Sequence, residues 1–238
     1  TGTGGDDTFV VQSASTATAA KSIDGTGVTL ATGSDATIQY KGAVGVDNIS
    51  GGVAAEQIFY SAGNDVITGG GTGVDTLVVD DTATNGSTIT VGTSAASTGL
   101  VINMGSSAVN AATITGATGD FIANSIASVG AGQGAYIYNA AAATNNASLS
   151  SIEGMENFTS TDSTGIEYVV GNSGVNVISV GAGADYVSTG DGDDTITGGA
   201  GVDTLIGGDG DDTFIYVATA DFVSTNAVVD SVTGGDGT

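Results

Sequence analysis

Residues 198–215 read GGAGVDTLI GGDGDDTFI, which is one nine-residue pattern written twice. Glycine occupies the first, second and fourth positions of each block, aspartate the sixth, and an apolar residue the eighth. Counted outward in nines, the pattern continues without insertion from Asp162 to Thr233 as eight blocks. The eighth position is apolar in all eight blocks, and the sixth is acidic in seven, with Asn176 in the other. A fixed short period of this kind is the signature of a repeat fold.

A second set of blocks lies upstream. GAVGVDNIS begins at Gly42, GGVAAEQIF at Gly51 and YSAGNDVIT at Tyr60, and after one extra glycine GGTGVDTLV begins at Gly70. A single block, GTGGDDTFV, begins at Gly2. We therefore divide the chain into a β-rich start with one block, a first array, an irregular β-rich region, and a second array with the start of a further repeat. Their bounds are 1–41, 42–78, 79–161 and 162–238.

Each block is expected to form a tight turn followed by a short strand. Glycines allow the backbone to turn sharply, and in the strand that follows the eighth residue points to one face while the seventh and ninth point to the other. Two blocks then make one 18-residue coil, and stacked coils give two parallel sheets with the eighth residues between them. The sequence predicts an all-β fold of parallel β-roll or β-solenoid arrays. It leaves open whether 79–161 forms irregular coils or a separate sandwich.

The composition excludes most chemistry. The chain has 41 Gly, no Pro, Cys, His or Trp, and a net charge of -24, because 26 acidic residues face only Lys21 and Lys41. The usual zinc ligands, the Ser-His-Asp triad and the thiol nucleophile are therefore missing. Nucleic acid and anionic membrane surfaces are bound through Lys and Arg, so we expect neither as a partner. We expect no enzyme and no membrane insertion, and we expect both lysines at the surface as ion partners.

The large negative charge needs counter-charges that the chain does not supply. Stacked turns would bring sixth-position acids a few ångström apart, which is unfavourable unless a cation lies between them. Carboxylate and backbone carbonyl oxygens suit calcium better than a transition metal. Disorder is the alternative for so charged and glycine-rich a chain, but 40% hydrophobic residues and a mean hydropathy of +0.24 argue against it. Calcium ions are thus the predicted cofactor and partner.

The pattern G-G-x-G-x-D-x-U-x, clearest at 198–206 and 207–215, resembles the repeat of the RTX (repeats-in-toxin) family. The resemblance covers about half of the chain and implies a calcium-bound parallel β-roll in a secreted bacterial protein exported by type I machinery. It also implies that calcium sits between blocks two apart, pairing Asp185 with Asp203, Asp194 with Asp212, and Asp47 with Asp65. The metal ligands that it implies are Asp7, Asp47, Glu56, Asp65, Asp75, Asp185, Asp194, Asp203 and Asp212, with the turn glycines Gly181, Gly183, Gly190, Gly192, Gly199, Gly201, Gly208 and Gly210.

Two sixth-position residues depart from the family pattern, and two more lie in blocks that do. Asn176 faces Asp194 and Glu167 faces Asp185, so we expect weaker sites there. Asp221 and Asp230 belong to blocks without the turn glycines, which makes both doubtful as ligands.

Three functions stay open. The first is a calcium-dependent structural segment of a bacterial surface protein, such as an S-layer, sheath or extracellular filament, that folds on calcium outside the cell and assembles with like chains. Long Ala, Thr, Gly and Ser stretches resemble S-layer proteins that carry RTX repeats, and two arrays separated by non-repeat strand favour this function. The second is the C-terminal secretion and folding module of a type I-secreted toxin or hydrolase, and the third is an adhesin stalk. In each case we expect a segment of a longer protein, located outside the cell or on its surface.

Overall fold

The chain folds into strands and turns. The structure, a computed structural model, describes residues 8–12, 21–24, 37–41, 47–60, 64–80, 98–110, 128–138, 147–161, 165–216 and 230–237. No helix occurs in these ranges, and hence none long and apolar enough to span a membrane. The predicted all-β fold class is confirmed.

Two large sheets face each other. The eight-stranded sheet is parallel throughout and contains, in spatial order, β1 (Thr8–Gln12), β3 (Thr37–Lys41), β5 (Glu56–Phe59), β7 (Thr76–Asp80), β13 (Asn157–Thr161), β15 (Val177–Ser179), β18 (Thr195–Thr197) and β21 (Thr213–Ile215). The ten-stranded sheet contains β2 (Lys21–Asp24), β4 (Asp47–Ser50), β6 (Val66–Thr68), β12 (Ala147–Glu153), β11 (Gln133–Tyr138), β8 (Thr98–Asn103), β14 (Ile166–Val170), β17 (Tyr186–Asp191), β20 (Thr204–Asp209) and β22 (Ser231–Thr233). Two further pairs are short: β9 (Val109–Asn110) with β10 (Ser128–Val129), and β16 (Ala182–Gly183) with β19 (Ala200–Gly201).

The register of the sheets is that of an 18-residue coil. Ile178 lies beside Ile196 in the eight-stranded sheet, and Val187 beside Leu205 in the ten-stranded sheet. Eighth-position side chains therefore meet between the sheets, and each fully buried aliphatic side chain contributes about 1.5–3 kcal/mol. Nine of them are completely buried: Ile49, Ile58, Ile67, Leu77, Val169, Ile178, Val187, Ile196 and Leu205.

The two arrays belong to one solenoid. In β12, Ile152 lies beside Ile67, and in β13 Phe158 lies between Leu77 and Ile178. Residues 147–161 thus form a coil that stacks on the end of the first array and joins it to the second. Of the two possibilities left open for the middle region, these residues follow the irregular coil.

The middle region also interrupts the ten-stranded sheet. β11 runs antiparallel to both of its neighbours, β12 and β8, and β8 in turn lies parallel to β14. Leu100 and Ile102 of β8 are completely buried in the same core as the repeat residues. The insertion therefore extends the solenoid core rather than forming a separate domain.

The start of the chain has longer coils. Phe9 of β1 lies beside Ile38 of β3, 29 positions later, and Ile23 of β2 lies beside Ile49 of β4, 26 positions later. Lys41 at the end of β3 is only 8% exposed, with its Nζ atom 4.1 Å from the centroid of the Phe59 ring. The prediction of a surface position for Lys41 was therefore wrong, because its long side chain is covered and packs on an aromatic face.

Candidate calcium sites

Sixth-position acids of successive coils lie next to one another along the solenoid. The backbone N–H of Asp185 donates to Oδ1 of Asp203 (2.9 Å), and that of Asp194 donates to Oδ1 of Asp212 (3.0 Å). In the first array, the N–H of Asp47 donates to Oδ1 of Asp65 (2.9 Å). The structure thus brings together all three acid pairs that the sequence indicated.

Glu56 and Asp75 form a further pair of the same kind, since the N–H of Glu56 donates to Oδ1 of Asp75 (2.9 Å). Their separation is 19 residues rather than 18 because of the extra glycine between the blocks. Asp7, the remaining acid of the predicted set, lies outside the described residues.

In Asp185 and Asp212, Oδ1 accepts the ladder hydrogen bond, whereas Oδ2 is inaccessible to solvent and has no hydrogen-bond partner. A buried carboxylate oxygen without a partner is costly, and a bound cation removes that cost. These oxygens are hard ligands of the type that calcium prefers, so the residues present fit the ion.

Burial and crowding shift the pKa values of these acids. Burial, followed by the charge of Glu167, raises the pKa of Asp185 from 3.8 to about 9. Burial also raises the pKa of Asp194, and burial with the neighbouring Asp75 raises the pKa of Glu56 to about 7. Without a cation Asp185 therefore holds a proton at neutral pH, and calcium would have to displace that proton.

The turn glycines pack coil against coil. Gly201, at φ +151°, lies so close to the turn below that a Cβ atom would overlap the carbonyl oxygen of Gly183. Close stacking of this kind places backbone carbonyls beside the sixth-position acids. Positive φ angles are found at six of the predicted glycines: Gly190, Gly192, Gly199, Gly201, Gly208 and Gly210.

Gly181 and Gly183 differ from the other predicted glycines. Their φ angles are not positive, and Gly183 pairs with Gly201 in the short parallel sheet of β16 and β19. The carbonyl of Gly181 accepts a hydrogen bond from the N–H of Ala200 (3.1 Å). The role of the glycine carbonyls as calcium ligands stays a prediction.

No group of three or more acidic side chains converges on one point within the described part of the chain. Each pair of neighbouring acids therefore offers two carboxylates, and further calcium ligands would have to be backbone carbonyls or water.

The side chains of Glu167 and Asn176, the two residues that depart from aspartate at the sixth position, both form hydrogen bonds with other protein groups. Oε1 of Glu167 accepts a hydrogen bond from the Ser160 hydroxyl (3.0 Å), and Oε2 accepts one from the N–H of Gly181 (3.0 Å). The amide of Asn176 donates to the carbonyl of Glu156 (2.7 Å), and its oxygen accepts from the N–H of Asn172 (3.0 Å). Both contacts agree with the expectation of weaker sites.

Two residues of the middle coil join the ladder without having been predicted. The N–H of Asp65 donates to Oγ of Ser150 (3.0 Å), and the N–H of Asp75 donates to Oε2 of Glu156 (2.8 Å). Each lies two residues before a buried apolar residue, Ile152 and Phe158, as a sixth-position residue does. This polar residue two positions before an apolar one could have indicated both residues. Ser150 and Glu156 are six residues apart rather than nine, however, so a fixed nine-residue period does not include both.

Asp230 is also part of the ladder. The N–H of Asp203 donates to Oδ1 of Asp230 (2.9 Å), and β22 lies beside β20 with an offset of 27 residues. Asp230 therefore has the same ladder contact as the predicted ligands, and whether it binds calcium stays a prediction. Asp221, which belongs to that block, lies outside the described residues.

Comparison with protein families agrees with this geometry. Three overlapping stretches, 162–196, 180–214 and 188–223, match the family described as RTX calcium-binding nonapeptide repeat (4 copies). Residues 162–223 are RTX repeats. Their parallel coils and paired sixth-position acids are the elements that the resemblance implied, and the RTX part of the chain is of a calcium-binding type.

Neither the comparison with curated proteins nor the comparison with solved structures found a match. The family match thus concerns residues 162–223 alone.

Proposed function

We propose that the chain is a calcium-dependent structural segment of a secreted bacterial surface protein. The observation that carries the proposal is the pair of buried Oδ2 atoms without a hydrogen-bond partner on Asp185 and Asp212, in a chain of net charge -24. Calcium between the coils would neutralise them, and a calcium-poor cytoplasm would leave the repeats unfolded until export. Extracellular calcium modules bind at roughly 10⁻⁴–10⁻³ M, which suits such a difference between compartments.

The proposed role is that of a building block. Each coil of a solenoid contacts only its neighbours, so solenoids can stack end to end on one another. This supports self-assembly with like chains into an S-layer, sheath or filament, and the proposal includes no catalytic role.

A C-terminal secretion and folding module of a toxin or hydrolase is the second candidate, with an adhesin stalk beside it. The separation of the two arrays favoured the surface protein, but the coil at 147–161 stacks both arrays into one solenoid. The array spacing therefore no longer distinguishes the candidates, and the assembly state in solution is what separates them.

Sedimentation velocity tests the proposal. We expect an expanded monomer in chelator and large species at about 1 mM calcium that dissociate again when chelator is added. A compact calcium-bound monomer at all protein concentrations would contradict the building-block role and favour a secretion module or stalk. Absence of any calcium response would contradict both.

A further inference from the structure

The insertion in the ten-stranded sheet builds a cleft on the outer face of the solenoid. After β8 the chain turns at 104–108 and stays attached to β14, since the N–H of Met104 donates to the carbonyl of Val170 (2.9 Å). Between this turn, the outer faces of β14 and β17, and the turns at 171–173 and 189–191 lies a cleft of about 450 Å³. That volume is within the range of small-molecule sites.

One wall of the cleft is fixed by Asn103, which is completely buried. Its Nδ2 atom lies within hydrogen-bond distance of the carbonyls of Ser107 (2.8 Å), Val129 (3.1 Å) and Gly130 (2.9 Å). Its Oδ1 atom accepts a hydrogen bond from the N–H of Gly105 (3.1 Å). These bonds hold the turn at 104–108 in place, so the wall is preformed.

The opposite wall is fixed in the same way by Asn172. Its Oδ1 atom accepts hydrogen bonds from the N–H of Gly174 (2.8 Å) and from Nδ2 of Asn176 (3.1 Å). Its Nδ2 atom donates to the carbonyl of Met155 (3.2 Å). Two asparagines thus shape the cleft with internal hydrogen bonds, which is the pre-organisation that a binding site needs.

Two tyrosines line the cleft at outward-facing positions. Tyr168 and Tyr186 are seventh-position residues in register, and their rings stack with centroids 4.5 Å apart and an interplanar angle of 1°. On the next strand Thr204 occupies the same position. Tyr168 is only 4% exposed, whereas Tyr186 is partly exposed, so Tyr186 is the ring of the stack that solvent reaches. Burial raises the pKa of Tyr168, so its hydroxyl keeps its proton.

We infer that the cleft binds a neutral saccharide. The described residues that line it include hydroxyl groups at Ser106, Ser107 and Ser188, and the carboxylate of Asp191, but no Lys or Arg. In a chain of net charge -24, a lining without cations disfavours phosphates and other anions. Sugars combine apolar C–H surface, which packs against aromatic rings, with many hydroxyls that hydrogen-bond to serine and aspartate. The inference depends on the fold rather than on the proposed assembly.

Titration calorimetry with neutral tetrasaccharides at 1 mM calcium tests the inference. The probes are cellotetraose, maltotetraose and chitotetraose, and we expect saturable binding of at least one. Tyr186→Ala should weaken that binding about tenfold or more, which corresponds to about 1.4 kcal/mol. Thr204→Ala, a matched change one strand away and outside the cleft lining, should leave it unchanged.

Two results would overturn the inference: no tetrasaccharide binds the folded chain, or the Tyr186→Ala variant binds as the wild type does. Far-UV circular dichroism checks that the variant still folds. If it does not, Asp191→Ala, on an exposed side chain, replaces it and should also weaken binding. An intact calcium response without saccharide binding contradicts this inference alone, whereas loss of the calcium response in the wild type contradicts the proposed function.

Discussion

Replacing Asp185 with Asn should stabilise the calcium-free fold and, at the same time, reduce the stability that calcium adds. Asp185 is 2% exposed, and its Oδ1 accepts the N–H of Glu167 (2.8 Å) while its Oδ2 has no partner. Folding raises the pKa of Asp185 from 3.8 to about 9, so at pH 7 this carboxyl is ionised in the unfolded chain and protonated in the calcium-free fold. Taking up that proton lowers the free energy of unfolding by about 4 kcal/mol, at about 1.36 kcal/mol for each pH unit between 3.8 and 7. Asn has nearly the same shape, keeps the acceptor oxygen and carries no charge. In chelator, Asp185→Asn should therefore stabilise the fold by up to about 4 kcal/mol.

With calcium the same substitution removes a ligand. A site of about 10⁻⁴ M contributes about 1.4 kcal/mol at 1 mM calcium, and the variant should lose that gain. Unfolding free energies come from far-UV circular dichroism during urea titration, or during osmolyte titration where the chelated chain starts unfolded. Asp209→Asn, which removes an exposed carboxylate at the end of β20, is the matched control and should stay within about 0.5 kcal/mol of wild type. A destabilised Asp185→Asn variant in chelator, or an undiminished gain from calcium, would refute the reasoning.

Three further predictions follow from the same contacts. In chelator, lowering the pH from 7 to 5.5 should raise the free energy of unfolding by about 2 kcal/mol through Asp185 alone. Because the pKa of Asp185 is higher in the folded state, its contribution to stability is full below about pH 3.8 and is lost as the pH rises towards 9. In calcium the trend should reverse, because the ion needs ionised carboxylates, and urea titrations at both pH values check the two signs. Gly201→Ala should raise the calcium concentration at the folding midpoint, because the added Cβ atom would meet backbone atoms at a residue with a positive φ angle. Gly234→Ala, where the added Cβ atom has open space around it, should leave the midpoint unchanged. Equal midpoints for the two variants would contradict the close stacking of the turns. Phe158→Ala should lower the free energy of unfolding by about 3–5 kcal/mol and shift a single thermal transition of the whole solenoid in calorimetry. A second, unshifted transition would mean that the two arrays fold separately.

The regular part of the solenoid could be predicted because two constraints repeat at every block. An apolar eighth residue needs a core, and an acidic sixth residue needs a counter-charge, so both the sheet register and the acid pairs follow from the period. Asp185 with Asp203, and Asp194 with Asp212, required no information beyond spacing.

The irregular coils could not be predicted because stacking depends on the strand register, not on the number of residues between strands. The middle coil keeps Ile152 and Phe158 in the core with a shorter turn, and β22 reaches its place beside β20 after 27 residues. Glu156 follows Ser150 by six residues, and Asp230 follows Asp203 by 27 residues rather than 18, so neither contact has the spacing of a regular 18-residue coil. The cleft beside Tyr168 depends on an insertion whose antiparallel strands have no repeat signature at all.

The most direct test of the account is far-UV circular dichroism of the wild-type chain during calcium titration at pH 7, starting in chelator. We predict a change from a largely unfolded spectrum to a β-rich one, with a midpoint at roughly 10⁻⁴–10⁻³ M calcium, reversal by chelator and no comparable response to magnesium, which fits oxygen sites of this kind poorly. A β-rich spectrum in chelator that calcium leaves unchanged would contradict the claim that the paired carboxylates hold the ions on which the fold depends.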